Sequence, residues 1–373
     1  MLSIIQAHYV ILNSMLSLIQ WLLFKKIQLT NKSNIKRVLM FRNGSFGDTL
    51  CALPAINSIK KNFPNAKIDI MTNSGGKSLV SIENIVDTLL VHEFIHYSEI
   101  DKKILIEKIK NNYYDLFIEL PQDQSTFISQ IRNMIVVKFM FKINYAFGWE
   151  VGSTKVFRKQ QEKSFTFTNE RQRLLDILKK NGLTSSKQEF HLNITENDTE
   201  VVTDLIKKNN LSDRSKNIAF VIGAKRPSNR WPIKYFREVA VYFSKKGFKI
   251  IIIGGKEDQE FSSRLLEVAN TYDLTGKLTP MQSAVMLKNC RQTLSNDTGP
   301  MHLSYAVGTP VVAIFSARDY PNKWFPPEGN IVLRDNDIGC SVCFTESCAD
   351  NQCMKSITPK NVIRSLEDIL QTQ

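Results

Sequence analysis

Ser295-Asn296-Asp297-Thr298-Gly299-Pro300-Met301-His302 is a polar stretch between the apolar run Val285-Met286-Leu287 and the strand-like run Val311-Val312-Ala313-Ile314-Phe315. Pro300 suits the first turn of a helix, and Asp297 and Thr298 are capping residue types just before it. The free N–H groups of such a helix start, together with the positive end of its dipole, favour a phosphate. Gly299 lets the backbone approach a ligand closely. His302 falls within the first turn, in reach of the same ligand. The same residues also describe an ordinary capped helix, so a second observation is needed.

That observation lies near the other end of the chain. Arg37-Val38-Leu39-Met40-Phe41-Arg42 reads as a buried strand, and the polar turn Asn43-Gly44-Ser45-Phe46-Gly47-Asp48 follows it. A helix comes next, with Leu50, Leu53, Ile56 and Ile59 on one face. Open α/β sheets bind ligands at the carboxyl ends of their strands. Two strand–turn–helix corners therefore predict an α/β protein of two Rossmann-like domains, with parallel sheets facing a central cleft.

At these residues the chain resembles a known family. Val38 to Asp48, followed by Leu53-Pro54-Ala55-Ile56, is similar to the amino-terminal signature of the heptosyltransferase-like glycosyltransferases, family 9. Asn296 to Leu303, followed by Gly308-Thr309-Pro310-Val311-Val312-Ala313, is similar to its carboxyl-terminal signature, and Cys340 to Ile357 resembles the tail of many members. The likeness spans most of residues 35 to 365. It implies a GT-B fold, an inverting transfer from a nucleotide diphosphate sugar (a heptose among the candidates), and neither a required metal nor a cofactor. It also implies a lipopolysaccharide-like or other cell-surface glycan or glycolipid as acceptor.

The resemblance assigns Asp48 the role of general base; the alternative is a helix cap without any part in catalysis. Asn43, Gly44, Ser45 and Gly47 form the acceptor loop around it, the two glycines leaving room. In the second half, Ile218-Ala219-Phe220-Val221-Ile222 reads as a strand, and Lys225, Arg226 and Arg230 follow in its exit loop. Three cations there suit a diphosphate, and Arg230 can make a paired contact with phosphate oxygens. The family often has Lys before Trp-Pro, so Arg230 keeps the charge and changes the geometry. Glu257 and Asp258 follow the strand Lys249-Ile250-Ile251-Ile252-Ile253. An acid there can bind ribose hydroxyls or serve a helix dipole, and the sequence leaves open which of the two matches the family. Asp297, Thr298, Gly299 and His302 complete the expected donor site, with His302 either on phosphate or bracing the loop.

Length and charge fit this reading. A chain of 373 residues is comfortable for two cores. Its net charge of +13 suits nucleic acid, an anionic membrane or anionic substrates. No zinc-finger spacing and no aromatic RNA-binding motif is present, which argues against nucleic acid. Asp335-Asn336-Asp337 matches the Asp-x-Asp of metal-dependent GT-A enzymes, but it lies late in the chain and reads as a turn. Cys51 and Cys290 read as buried. Cys340, Cys343, Cys348 and Cys353 are spaced for a metal, for disulfides or for a reduced structural loop.

Three regions are expected: a hydrophobic helix in residues 1–30, an acceptor domain over 35–190, and a nucleotide-sugar domain with a Cys-rich tail over 191–373. A linker is expected near 183–196. Residues 9–26 lack a signal-peptide pattern and are short for a membrane span. Asn13, Ser17 and Gln20 make a narrow polar stripe, with apolar residues around the rest. The segment reads as a helix packed on the protein, as a peripheral membrane contact with Trp21, Lys25 and Lys26 at the headgroups, or as a true span. The second option places the protein in the bacterial cytoplasm, at the inner face of the membrane. Leu89-Leu90-Val91 is expected to be a strand, and Phe127 to Phe141 a buried helix. Rival readings are a non-catalytic sugar-nucleotide or glycan-binding protein and a sugar-nucleotide epimerase.

Overall fold

Val38-Leu39-Met40 and Ile250-Ile251-Ile252 are fully buried. Strands apolar on both faces need both faces of their sheet covered, the condition met by parallel α/β sheets. The protein, in a computed structural model that describes residues 4–26, 29–73, 82–158, 167–185 and 189–372, is built this way. It divides into two compact units, Met1–Asn193 and Ile194–Gln373.

The first unit contains α1 (Ile4–Leu23), β1 (Arg37–Phe41), α2 (Phe46–Asn62), β2 (Lys67–Thr72), β3 (Glu93–His96), α3 (Lys102–Asn111), β4 (Leu116–Glu119), α4 (Phe127–Ile135), β5 (Tyr145–Phe147), α5 (Ser153–Phe157) and α6 (Glu170–Lys180). Its sheet has the order β3-β2-β1-β4-β5 and is parallel throughout. The second unit contains α7 (Glu196–Lys208), β6 (Asn217–Val221), α8 (Ile233–Lys245), β7 (Lys249–Ile252), α9 (Gln259–Ser262), β8 (Thr271–Asp273), α10 (Pro280–Lys288), β9 (Gln292–Asn296), α11 (Gly299–Ala306), β10 (Val311–Phe315), β11 (Ile331–Arg334), α12 (Gln352–Lys355) and α13 (Pro359–Thr372). Its parallel sheet has the order β11-β10-β9-β6-β7-β8.

Both orders are those of a doubly wound Rossmann sheet. Each reverses direction at one pair of neighbours, β1 and β4 in the first unit and β6 and β9 in the second. Chain crossovers leave the sheet to opposite sides there, which opens a crevice above the carboxyl ends of those strands. Each unit has its own core. Leu39, Phe117, Met134 and Trp149 anchor the first, while Phe220, Phe236, Ile252 and Met354 anchor the second.

Local chemistry explains where the elements depart from expectation. Leu89-Leu90-Val91 is not a strand. Asp87 Oδ1 accepts the Leu89 N–H at 2.9 Å, Leu90 N–H returns to the Asp87 carbonyl, and Leu89 is exposed. An aspartate that bonds the backbone two residues on favours a turn over a ladder, and the strand starts later, at Glu93. The expected helix from Phe127 is α4 followed by one π turn, Val136–Met140. Only one side of it is buried. Residues 4–23 join the first core through Leu16 and, just beyond them, Phe24, and Lys25 bridges to Tyr145 of β5. Asp335-Asn336-Asp337 is a turn, with Asp337 N–H donating to Asp335 Oδ1 at 3.1 Å.

Candidate functional site

The turn from β1 into α2 closes on itself. Ser45 is the N-cap, and both its N–H and its hydroxyl donate to Asp48 Oδ2, at 2.8 and 2.7 Å. Asp48 Oδ1 has no hydrogen bond among the described residues. Gly44 is where Asp48 lies: a Cβ there would sit 2.7 Å from Asp48 Cβ. That glycine makes room for the carboxylate's own side chain. Asn43 faces sideways, accepting the Asn73 N–H and donating to the Tyr97 hydroxyl, both at 2.9 Å. Gly47 lies in the first turn of α2.

Sequence reading missed the residue beneath this turn. Arg42 is buried and donates to the carbonyls of Asp48, Leu120 and Pro121, at 2.9, 3.2 and 3.2 Å. It thereby joins the exits of β1 and β4, the two strands at the reversal. Glu170 lies 3.9 Å from it. A charged residue closing an apolar strand was the available signal.

In the second unit the loops after β6, β7, β9 and β10 are sewn together. Asn296 Nδ2 donates to the Ile222 carbonyl at 2.7 Å, and its Oδ1 accepts the Trp231 N–H at 3.0 Å. Asn229 donates to Asp297 Oδ2 at 3.0 Å and accepts from Ser316 at 2.6 Å. Burial pushes the Asp297 carboxyl up to about 7, and Asp319 adds to the rise, while Arg226, Arg318 and the Asn229 bond oppose it. Asn229, Ser316, Arg318 and Asp319 were not singled out from sequence, because they come from loops far apart in the chain.

Thr298 occupies the N-cap of α11, but its side chain makes no capping bond. The Thr298 and Gly299 N–H groups have no hydrogen-bond partner among the described residues, so the helix start is open to an anion. His302 is buried on α11, its Nδ1 2.8 Å from the Tyr305 hydroxyl. That contact joins two residues one turn apart on the same helix.

The cations differ in their engagement. Arg230 Nε donates to the Ala224 carbonyl at 2.9 Å, and its guanidinium lies 5.0 Å above the Phe261 ring. Its terminal nitrogens have no hydrogen-bond partner among the described residues, with Asp258 near enough to feel its charge, so the fork is positioned and still open. Arg226 pairs with Glu346 at 3.1 Å, and Lys225 is exposed. Asp258 is buried, accepts the Gly255 N–H at 3.0 Å, and has its carboxyl raised mainly by burial. A Cβ on Gly223 would lie 2.1 Å from its Oδ1, so this glycine admits the carboxylate to the β6 exit. Glu257 is exposed.

The Cys-rich loop is part of this assembly. Ser228 hydroxyl donates to the Thr345 carbonyl at 2.7 Å, and buried Arg318 donates to the Thr345 and Phe344 carbonyls at 2.8 and 2.9 Å. Cys340, Cys343, Cys348 and Cys353 are free thiols. Among the described residues no set of three or more His, Cys, Asp or Glu side chains is placed to hold a metal ion.

The sequence model of the family described as glycosyltransferase family 9 (heptosyltransferase) matches residues 103–354. The chain belongs to glycosyltransferase family 9. Lipooligosaccharide heptosyltransferase 2 of Campylobacter jejuni subsp. jejuni serotype O:2 is 24% identical over 340 residues, covering 87% of this chain and 95% of that protein. Among solved structures, the family 9 glycosyl transferase of Veillonella parvula superposes with a TM-score of 0.71 at 21% identity, covering 91% of this chain and 98% of that one. Escherichia coli ADP-heptose lps heptosyltransferase II superposes with a TM-score of 0.64 at 18% identity, covering 91% and 99%. The fold is GT-B, and this family 9 member is a glycosyltransferase.

Proposed function

We propose that this family 9 glycosyltransferase moves heptose from ADP-heptose onto a lipopolysaccharide-like acceptor, with inversion, and that Asp48 is its general base. The observation that carries this is the pair of corners at the sheet reversals. One presents a carboxylate with an open oxygen, and the other an uncapped helix start beside an open guanidinium. The sugar and nucleotide are those named for the related Escherichia coli enzyme.

In the reaction, Asp48 takes the proton from an acceptor hydroxyl as its oxygen bonds to the anomeric carbon. The bond from that carbon to the diphosphate oxygen breaks, and the nucleoside diphosphate leaves with the electron pair. The growing charge on the diphosphate is met by Arg230, Lys225 and Arg226 and by the Thr298 and Gly299 N–H groups. Asp297 and His302 support that helix start, and Asp258 or Glu257 takes the ribose hydroxyls. Attack from the face opposite the leaving group gives inversion, and these cations make a metal unnecessary. Residues 35–190 bind the acceptor and 191–373 the donor. Residues 9–26 touch the membrane that carries the acceptor, which places the enzyme at the inner face of the bacterial cytoplasmic membrane.

The test is release of nucleoside diphosphate from a panel of nucleotide sugars, with and without de-acylated lipopolysaccharide acceptor and with EDTA. The expected result is acceptor-dependent release of ADP from ADP-heptose, unchanged by EDTA. Tight nucleotide binding without turnover of any sugar would leave a binding protein instead. Strict dependence on added magnesium or manganese would overturn the cationic leaving-group mechanism.

A further inference from the structure

An amphipathic surface helix normally turns its apolar stripe to the core and its polar face to water. α1 buries Leu16 in the first core, with Leu12, Ile19 and Leu23 packed against it, yet leaves a second apolar face outside. Asn13 Oδ1 accepts the Val151 N–H at 2.9 Å, and Gln20 Nε2 donates to Asn181 Oδ1 at 3.0 Å, so both polar side chains face the protein. Val10, Ile11, Met15, Leu18, Trp21 and Leu22 face outward, with Leu18 56%, Trp21 71% and Leu22 66% exposed.

α4 packs beside α1 in the same core and continues this surface. Along α4 and its π turn, Ile128, Arg132, Ile135 and Phe139 fall on one helical stripe, Lys142 follows just past its end, and all five are exposed. Ile128 is 79%, Ile135 48% and Phe139 63% exposed. Single exposed apolar residues are ordinary, but two adjacent apolar stripes mark a binding surface.

Charge identifies what binds there. Neither Ile4–Leu23 nor Phe127–Met140 contains an acidic residue. Lys25 and Lys26 follow α1, and Lys138 lies over the Phe24 ring at 5.7 Å, where the two elements meet. With Arg132 and Lys142 they make a cationic rim around an apolar face. No helix among the described residues is long and apolar enough to cross a membrane. α1 is moreover held on the protein by Leu12, Leu16, Ile19 and Leu23 and by the Asn13 and Gln20 bonds, so it would lie along an interface.

We infer that α1 and α4 with its π turn form one docking surface for an anionic phospholipid bilayer. This deepens the reading of a membrane-borne acceptor and rests on it for its purpose. It adds a second element, α4, that residues 9–26 alone would not require.

Flotation of the full chain with vesicles of phosphatidylcholine, alone or mixed with phosphatidylglycerol, tests it without turnover. The protein should float with the mixed vesicles and much less with phosphatidylcholine alone, and high salt should weaken the binding. Ile135→Glu with Phe139→Glu should reduce binding at least about tenfold, and so should Leu18→Glu with Leu22→Glu. All four positions are solvent-exposed, and thermal melts check folding. In the unaltered protein, brominated lipids should quench a fluorescence component that Trp21→Phe removes. Wild-type-like binding by the α4 variant would overturn the two-element surface. Absence of flotation and quenching would overturn it too, as would a concentration-dependent dimer abolished by the same substitutions, since the face would then join two copies. Vesicle binding without sugar transfer would leave this surface standing while removing the donor assignment.

Discussion

The corner from β1 into α2 and the corner from β9 into α11 both lie at the strand-order reversal of their sheets, β1 as the inner strand of the first half of its unit and β9 as that of the second half of the other, yet they are finished differently. The first is closed: Asp48 turns back onto Ser45, fills the space over Gly44, and is held from below by Arg42. The second is open: Thr298 stands at the N-cap without capping, and the acid before it bonds Asn229 in another loop. A base must hold one oxygen in a defined direction, which a closed turn provides. An anion site needs unpaired N–H groups, and a capping side chain would compete for them.

The largest expected effect is at the closed corner. Asp48→Asn keeps the shape of the turn and removes the proton acceptor, so turnover should fall about 10²–10⁴-fold with nucleotide affinity nearly unchanged. Single-turnover rates and nucleotide titrations measure the two separately. Near-normal turnover would reduce this corner to a helix cap and erase the contrast.

Next in size is the open fork beside the second corner. Arg230→Ala should weaken nucleoside diphosphate binding by about 1.5–3 kcal/mol, the worth of a charge-assisted contact. The bare nucleoside should bind as before. Equal weakening of both ligands in calorimetry would mean that Arg230, stacked on Phe261, shapes its loop without holding phosphate.

Two matched hydroxyl deletions sharpen the comparison directly. Ser45→Ala removes a donor to Asp48 and should cost about 1 kcal/mol in urea unfolding. Thr298→Ala removes a hydroxyl with no capping bond and should change stability by less than about 0.5 kcal/mol. Diphosphate affinity should stay nearly unchanged in both, since Thr298→Ala keeps the N–H that meets the phosphate. The reverse order in stability would show that the corners have exchanged roles.

The smallest expected effect is on pH dependence. With its carboxyl pushed up to about 7, Asp297 is neutral below that pH and negative above it. Rising pH therefore adds a negative charge beside the anion site, and affinity for a nucleoside diphosphate should drop about fivefold through this range. Asp297→Asn should flatten that part of the profile and leave the titration of the ligand's own phosphate. An unchanged slope in the variant would place the charge away from the bound phosphates.

Much of the fold was legible from short-range pattern. Apolar runs such as Ile218 to Ile222 and Lys249 to Ile253 became β6 and β7, and Leu174, Ile177 and Leu178 became the buried face of α6. The misreading at Leu89-Leu90-Val91 came from weighing three apolar side chains above one aspartate, whose hydrogen bond holds the backbone in a turn. At the candidate site the motif residues were visible and their partners were not. Asn229 and Asp297 lie far apart in sequence, and only the pairing of β6 with β9 brings their loops together.

The amino-acid sequence by itself determined the alternation of strands and helices, the two polar corners and the cations after β6, because side-chain period, Gly, Pro and capping types act over a few residues. Only the tertiary structure decided which strands are neighbours, and so that both corners lie where the strand order reverses. It also decided that Asp258, not Glu257, is buried against the β6 exit, that His302 meets Tyr305 within α11, and that Asn13 and Gln20 of α1 turn inward. The physical reason is the same in each case. Periodicity names the two faces of an element, but which face meets protein and which is left open depends on whatever packs against it, and that partner comes from elsewhere in the chain.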